Sequence, residues 1–195
     1  MRNTWIRRIS AIRKDGVESA INLTCGLNCI IGASNTGKTR IAKTVEFACG
    51  GKELPFTDKT AYEIAQVTFV TNGGEVSLSR SIHVQNTIHV KSSNPMIVPG
   101  SYSVSSRAGK SINTVLLALL GVESTRRIAT NETYHTVAFT WNAIRHLMIV
   151  PEDQIGRARP SILFPKSTSL ATLTQSLSSL LVLVQDEKID NSIQT

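Results

Sequence analysis

The chain has 195 residues, 41% hydrophobic and 18% charged, which is enough for one well-buried globular domain and short for two. No run approaches the roughly 18 uninterrupted apolar residues of a membrane-spanning helix, and "MRNTWIRRIS" has no apolar core behind its arginines, so a cytoplasmic chain is expected. The 21 Lys and Arg against 14 Asp and Glu give a net charge of +7, an excess that suits a polyanionic partner but also fits an ordinary soluble surface, so it leaves DNA open.

The first segment, "TWIRRISAIRKDGVESAINLT", has β-branched residues on both sides of "KDG", a turn signal, and reads as a hairpin. Its first half is ambiguous, because Trp5, Ile6, Ile9 and Ile12 also suit one face of a helix. The three cysteines, Cys25, Cys29 and Cys49, lack the spacing of a metal knuckle, and His83, His89, His135 and His146 are scattered singly. Buried or partly buried free thiols are expected rather than a zinc site.

Next comes "LNCIIGASNTGKTR", whose Gly32, Gly37, Lys38 and Thr39 fit G-x-x-x-x-G-K-[ST]. The glycines let the backbone turn so that successive N–H groups face phosphates, and the following helix aims its positive end at them. Gly32, Ser34, Asn35, Thr36, Gly37, Lys38, Thr39 and Arg40 are therefore the expected nucleotide-binding residues. Lys38 would bridge the β- and γ-phosphates of ATP, and the Thr39 hydroxyl would ligate Mg²⁺. The context required is strand, loop, helix. "LNCII" suits a buried parallel strand, and "KTRIAKTVEFACGG" places Ile41, Val45 and Ala48 on one helical face before a glycine pair.

"AQVTFVTNGGEVSLSRSIHV" reads as two strands around "NGG", with Val76, Leu78, Ile82 and Val84 alternating with Ser77, Ser79, Ser81 and His83. Arg80 falls on the apolar side of that alternation, where a snorkelling side chain is the ordinary reading. "SSNPMIVPGSYSVSSRAGKS" reads as a connector, and "SINTVLLALLG" as a short helix closed by Gly121. Near the C-terminus, "LLVLVQDE" has the look of a Walker B strand with Asp186 and Glu187. The spacing of Leu170, Leu173, Leu177, Leu180, Leu181 and Val184 is helical instead, and Gln185 interrupts the run.

The order of a two-stranded start, "GLNCIIGASNTGKT", a helix ending "FACGG" and then β-hairpins resembles the N-terminal half of a known ATPase head. That head belongs to the structural-maintenance-of-chromosomes proteins and their DNA-repair and phage-defence relatives, with Gly26, Leu27 and Asn28 matching its "GLN" phrase. The resemblance implies an α/β fold: the N-terminal lobe of an ABC-type P-loop NTPase head, with a mixed sheet around the P-loop and an antiparallel β subdomain. As a single lobe it would hold hairpin, P-loop and helix over 1–50, antiparallel strands over 60–91, and a helical region with a Q-loop over 110–195. Arg80 resembles the strand arginine of such heads. In "TVAFTWNAIRHLMIVPEDQIG" the family's catalytic and metal-contacting glutamine falls at Glu152, a departure from the pattern, with Gln154 two places later as the alternative. No Leu-Ser-Gly-Gly signature and no convincing Walker B pair is present, so only half of a catalytic unit is implied. The other half would be a C-terminal lobe and a second head, and ATP hydrolysis would be coupled to DNA handling. Two other readings stay open: a self-contained small-molecule or nucleoside kinase with Arg157 and Arg159 as lid arginines, and a non-catalytic module that keeps the loop as an anion nest. A small GTPase is excluded, because the chain contains no Asn-Lys-x-Asp motif.

Overall fold

Strand β1 (Trp5–Arg13) and strand β2 (Glu18–Asn22) form the N-terminal hairpin, turning at Gly16, whose φ of 83° suits glycine. This is a computed structural model, and it describes residues 4–57, 60–105, 109–123, 125, 127–129 and 136–150. The ambiguity of the first segment has a local cause. On β1, Ile6 pairs with Phe69 and Arg8 with the adjacent Thr68, so Arg7 is an extra, bulged residue. The bulge reverses the alternation, letting Ile6 and Ile9 reach one core cluster although they are three residues apart. A strand with a bulge thereby carries helix-like spacing.

The chain divides into two compact units, Met1–Gly121 and Val122–Thr195. The first is built on a six-stranded sheet of order β2-β1-β3-β4-β5-β6, whose strand pairs are all antiparallel. β3 (Tyr62–Thr71) and β4 (Gly74–Ser81) meet at the "NGG" turn, followed by β5 (Thr87–Ser92) and β6 (Gly100–Ser103). β6 lies inside the stretch expected to be a connector and pairs with β5 from Thr87↔Ser103 to Val90↔Gly100. Val84 departs from its expected inward position: β4 ends at Ser81, and Val84 is exposed in the loop beyond it.

One sheet face is apolar. The row Ile9, Val67, Leu78, Val90 crosses four strands, and all four residues are buried. Helix α1 (Lys38–Ala48) packs there: Ala48 joins Ile9 and Val67 with Ile41 and Val45 beside them, and Phe47 joins Phe56, Ala65 and Ile82. The helical face expected from the sequence is the face that packs. The opposite side carries Ser10, Gln66, Ser79, His89 and Ser101 in register, and Thr68 shares a 2.8 Å hydroxyl contact with Ser77. Helix α2 (Ile112–Leu119) begins at Ser111, whose side chain accepts from the Asn113 N–H at 3.2 Å, and it is followed by Gly121 at a φ of 77°.

In the second unit, β7 (Arg127–Ala129) pairs antiparallel with β8 (Thr136–Ala138), and α3 spans Trp141–Met148. Ile128, Phe139 and Ile144 are buried. Glu152, Gln154, Arg157, Arg159 and the helix expected over 169–187 lie outside the described residues.

The fold is thus α/β with an antiparallel sheet, and it departs from expectation before the P-loop. The Leu23 N–H still donates to the Arg7 carbonyl of β1 at 2.8 Å, but residues 24–33 form no strand and pair with none among the described residues. Leu27 and Ile31 are 96% and 90% exposed, and Ile30 is 43% exposed. β2 is at the edge of the six-stranded sheet and the chain leaves the sheet after it, so among the described residues no backbone lies alongside "LNCII" to complete its hydrogen bonds.

Candidate phosphate-binding site

The sequence-expected residues Gly32, Ser34, Asn35, Thr36, Gly37, Lys38, Thr39 and Arg40 lie together in a turn and the first turn of α1, and all but the half-buried Gly37 are exposed. Two left-handed residues shape the turn, Asn35 at a φ of 60° and Gly37 at 91°. Asparagine is among the few side chains that tolerate this region. The Thr36 hydroxyl donates to the Ala33 carbonyl at 2.8 Å. A Cβ on Gly32 would stand 2.9 Å from the Thr36 Oγ1, so the close approach of the two sides of the turn needs glycine there.

The electrostatics of the helix start are inverted. Helix N-termini favour side-chain caps and acidic residues, because four N–H groups lack partners and the dipole is positive there. The N-cap of α1 is Gly37, with no side-chain cap and no acid in the first turn, and the residues that follow include Lys38 and Arg40. α2 shows the contrast with its Ser111 cap. The Lys38 ammonium folds back over the turn, donating to the carbonyls of Gly32 at 2.7 Å and Ala33 at 2.5 Å. Neutral carbonyls satisfy its donors without compensating its charge. A basic, uncapped helix start against a glycine turn fits an anion with several acceptor oxygens.

The far end of α1 is held by a residue whose role sequence reasoning missed. Arg80 is buried, and it donates Nη1 to the carbonyls of Phe47 at 2.6 Å and Gly51 at 2.7 Å. Nε and Nη2 reach the Gln85 carbonyl at 2.8 and 2.6 Å. Burial lowers its pKa to about 10, so it stays charged at neutral pH. The side chain does not snorkel; it supplies the cation that the C-terminus of α1 lacks in its own last turn. An arginine on the apolar side of a strand was the available signal.

Upstream, the Asn28 side chain closes a turn over 24–28. Its Oδ1 accepts from the Thr24 N–H at 3.0 Å, and its Nδ2 donates to the carbonyls of Thr24 at 2.8 Å and Gly26 at 3.0 Å. Cys25 and Cys29 are exposed rather than buried, whereas Cys49 is buried as expected. Among the described residues no group of three or more His, Cys, Asp or Glu could hold a metal ion. None of the described helices is long and apolar enough to cross a membrane.

No family model matches the chain, and no curated protein matches it. A solved structure described by ATP-driven dimerization and DNA-stimulated activation of SMC ATPases is similar to 76% of this chain over 94% of its own. Its TM-score is 0.39 at 11% sequence identity. That likeness is too distant to decide fold or function.

Proposed function

We propose that the chain is the ATP-binding N-terminal lobe of an ABC-type ATPase head of the chromosome-maintenance, repair and defence class. Its nucleotide cycle would be coupled to DNA handling in the cytoplasm. What carries this reading is a candidate phosphate-binding turn whose preceding apolar segment, Leu27 to Ile31, is exposed and pairs with no strand among the described residues. A self-contained kinase needs a complete sheet around its loop, whereas a lobe that shares its sheet with a second lobe leaves such a segment waiting for neighbours.

In this reading Lys38 releases the Gly32 and Ala33 carbonyls and takes phosphate oxygens, while the N–H groups of the turn and Arg40 hold the remaining charge. Ser34, Asn35 and Thr36 shape the cradle, and Thr39 holds Mg²⁺ through its hydroxyl. ATP with Mg²⁺ would supply the transferable phosphoryl group and neutralise its charge. Glu152 or Gln154 would serve as the Q-loop residue, and the acids that orient water would come from a C-terminal lobe and a second head. The isolated chain should therefore bind ATP and turn it over little.

The test is titration calorimetry with ATP and Mg²⁺ on the wild-type chain and Lys38→Ala, with phosphate release followed in the same samples. Binding that requires Lys38, without steady turnover, supports the reading. Robust turnover by the isolated chain would refute it.

A further inference from the structure

Cys25 lies within the 24–28 turn that leads towards the candidate phosphate-binding loop and Cys29 follows it directly, and both are exposed. Between them Gly26 takes a φ of 101°, and the Asn28 amide binds both the N–H and the C=O of Thr24, folding this stretch back on itself. A disulfide needs Cα atoms about 4.4–6.8 Å apart. Four residues of extended strand would separate them by about 13 Å, so a turn permits the bond and a strand opposes it. The third thiol provides an internal contrast: Cys49 is 2% exposed, and burial pushes its pKa up to about 12, which leaves it inert near neutrality.

We propose that Cys25 and Cys29 form a reversible thiol modification site, closing to an intramolecular disulfide under peroxide and fixing the 24–28 turn. The chemistry balances: one thiolate attacks hydrogen peroxide to give a sulfenic acid and hydroxide, and the second thiol displaces water from that sulfur as the S–S bond forms. Two thiols are oxidised and one peroxide is reduced to two waters. The bond hinders residues 27–31 from extending into a strand, because each residue drawn into a strand carries Cys29 about 3.3 Å further along. Its effect on nucleotide rests on the head-lobe reading, in which those residues complete a sheet beside the P-loop. The disulfide itself does not.

The experiment treats the full chain with hydrogen peroxide, alkylates remaining thiols, digests with trypsin, and compares ATP binding before treatment, after it, and after dithiothreitol. Cys25 and Cys29 share the tryptic peptide 15–38, while Cys49 falls in 44–52, so the two sites are read separately. The expected result is loss of two hydrogens and of alkylation in 15–38, reversed by dithiothreitol, with alkylation of 44–52 after unfolding unchanged. ATP affinity should fall roughly tenfold in the oxidised chain. Cys25→Ser should keep its ATP affinity under peroxide. Persistent alkylation of both cysteines in 15–38, or a disulfide that joins 15–38 to 44–52 or links two chains instead, overturns the proposal. A disulfide in 15–38 that leaves ATP affinity unchanged overturns its coupling to the loop. Failure of the reduced chain to bind ATP counts against the head-lobe reading alone, and the peptide map still decides the thiol site.

Discussion

The guanidinium of Arg80 lies 4.0 Å from the centre of the Phe47 ring and donates to the backbone carbonyl of that same residue. One side chain from β4 thus stacks on the last large residue of α1 and caps the helix that carries the candidate phosphate-binding loop at its other end. Phe47 is fully buried in the cluster that joins α1 to the sheet, so the ring that shields Arg80 is itself fixed. The cation–π contact and the helix C-terminus both favour the charged form, which offsets part of the cost of burying it.

Replacing Arg80 should therefore cost far more than a surface arginine would. Arg80→Met keeps bulk but removes the guanidinium bonds to the carbonyls of Phe47, Gly51 and Gln85, of which that of Phe47 keeps the Gly50 N–H, and a loss of about 3 kcal/mol is expected in urea unfolding. Arg80→Lys restores charge without the fork that reaches both the helix end and Gln85, so it should fall between the two. Equal stability of Arg80→Met and the wild type would reduce Arg80 to a packing residue.

The alternating positions of β4, the "NGG" turn, the inward face of α1 and the Gly121 that follows α2 are all legible in the sequence. Each rests on residues within a few positions of one another. What escaped depends on partners far along the chain. The carbonyls that receive Arg80 sit 29 and 33 residues before it, and no periodicity announces them. The bulge at Arg7 left the first strand ambiguous with a helix, because spacing alone cannot show an inserted residue. The glycine-lysine turn was readable as a motif, but the bareness of the apolar segment before it was not. That depends on whether another backbone lies alongside.

Cys49 gives the fold an alkaline weakness whose sign is fixed. Its thiol is raised from 9.0 to about 12 by burial first and by the neighbouring Glu46 second, so the folded state holds its proton after the unfolded state has lost it. The stabilising contribution is complete below pH 9 and is lost as pH rises from 9 towards 12. Cys49→Ala should abolish a decline of roughly 1 kcal/mol per pH unit in that window. Parallel urea titrations of both proteins at pH 8 and pH 10 check it, and identical pH dependence would exclude Cys49 as the source.

Lys38→Ala should separate binding from stability. The lysine is exposed, sits at a helix start where cations are unfavourable, and among the described residues hydrogen-bonds to the carbonyls and hydroxyl of its own turn. Thermal unfolding should then show a change within about 0.5 kcal/mol. ATP binding should weaken by about a hundredfold, the scale of a lost hydrogen bond to a charged group. A variant that melted early would show that the turn depends on the lysine and that its binding defect is indirect.

The exposed apolar run gives the sharpest division between a finished domain and a lobe awaiting its partner. In a finished P-loop domain, Leu27 and Ile31 occupy a central strand, and an aspartate at either would bury a charge at a cost of several kcal/mol. Here they are 96% and 90% exposed, so Leu27→Asp and Ile31→Asp should each shift the stability of the isolated chain by less than about 0.5 kcal/mol and should raise its solubility. If a second lobe completes the sheet, the same substitutions should abolish its binding while leaving the fold intact, because the charge then has to enter the shared core. Urea unfolding of each variant, followed by co-purification with a candidate C-terminal lobe, reads both effects. Strong destabilisation of the isolated chain would mean that "LNCII" is buried in solution and would favour the self-contained kinase.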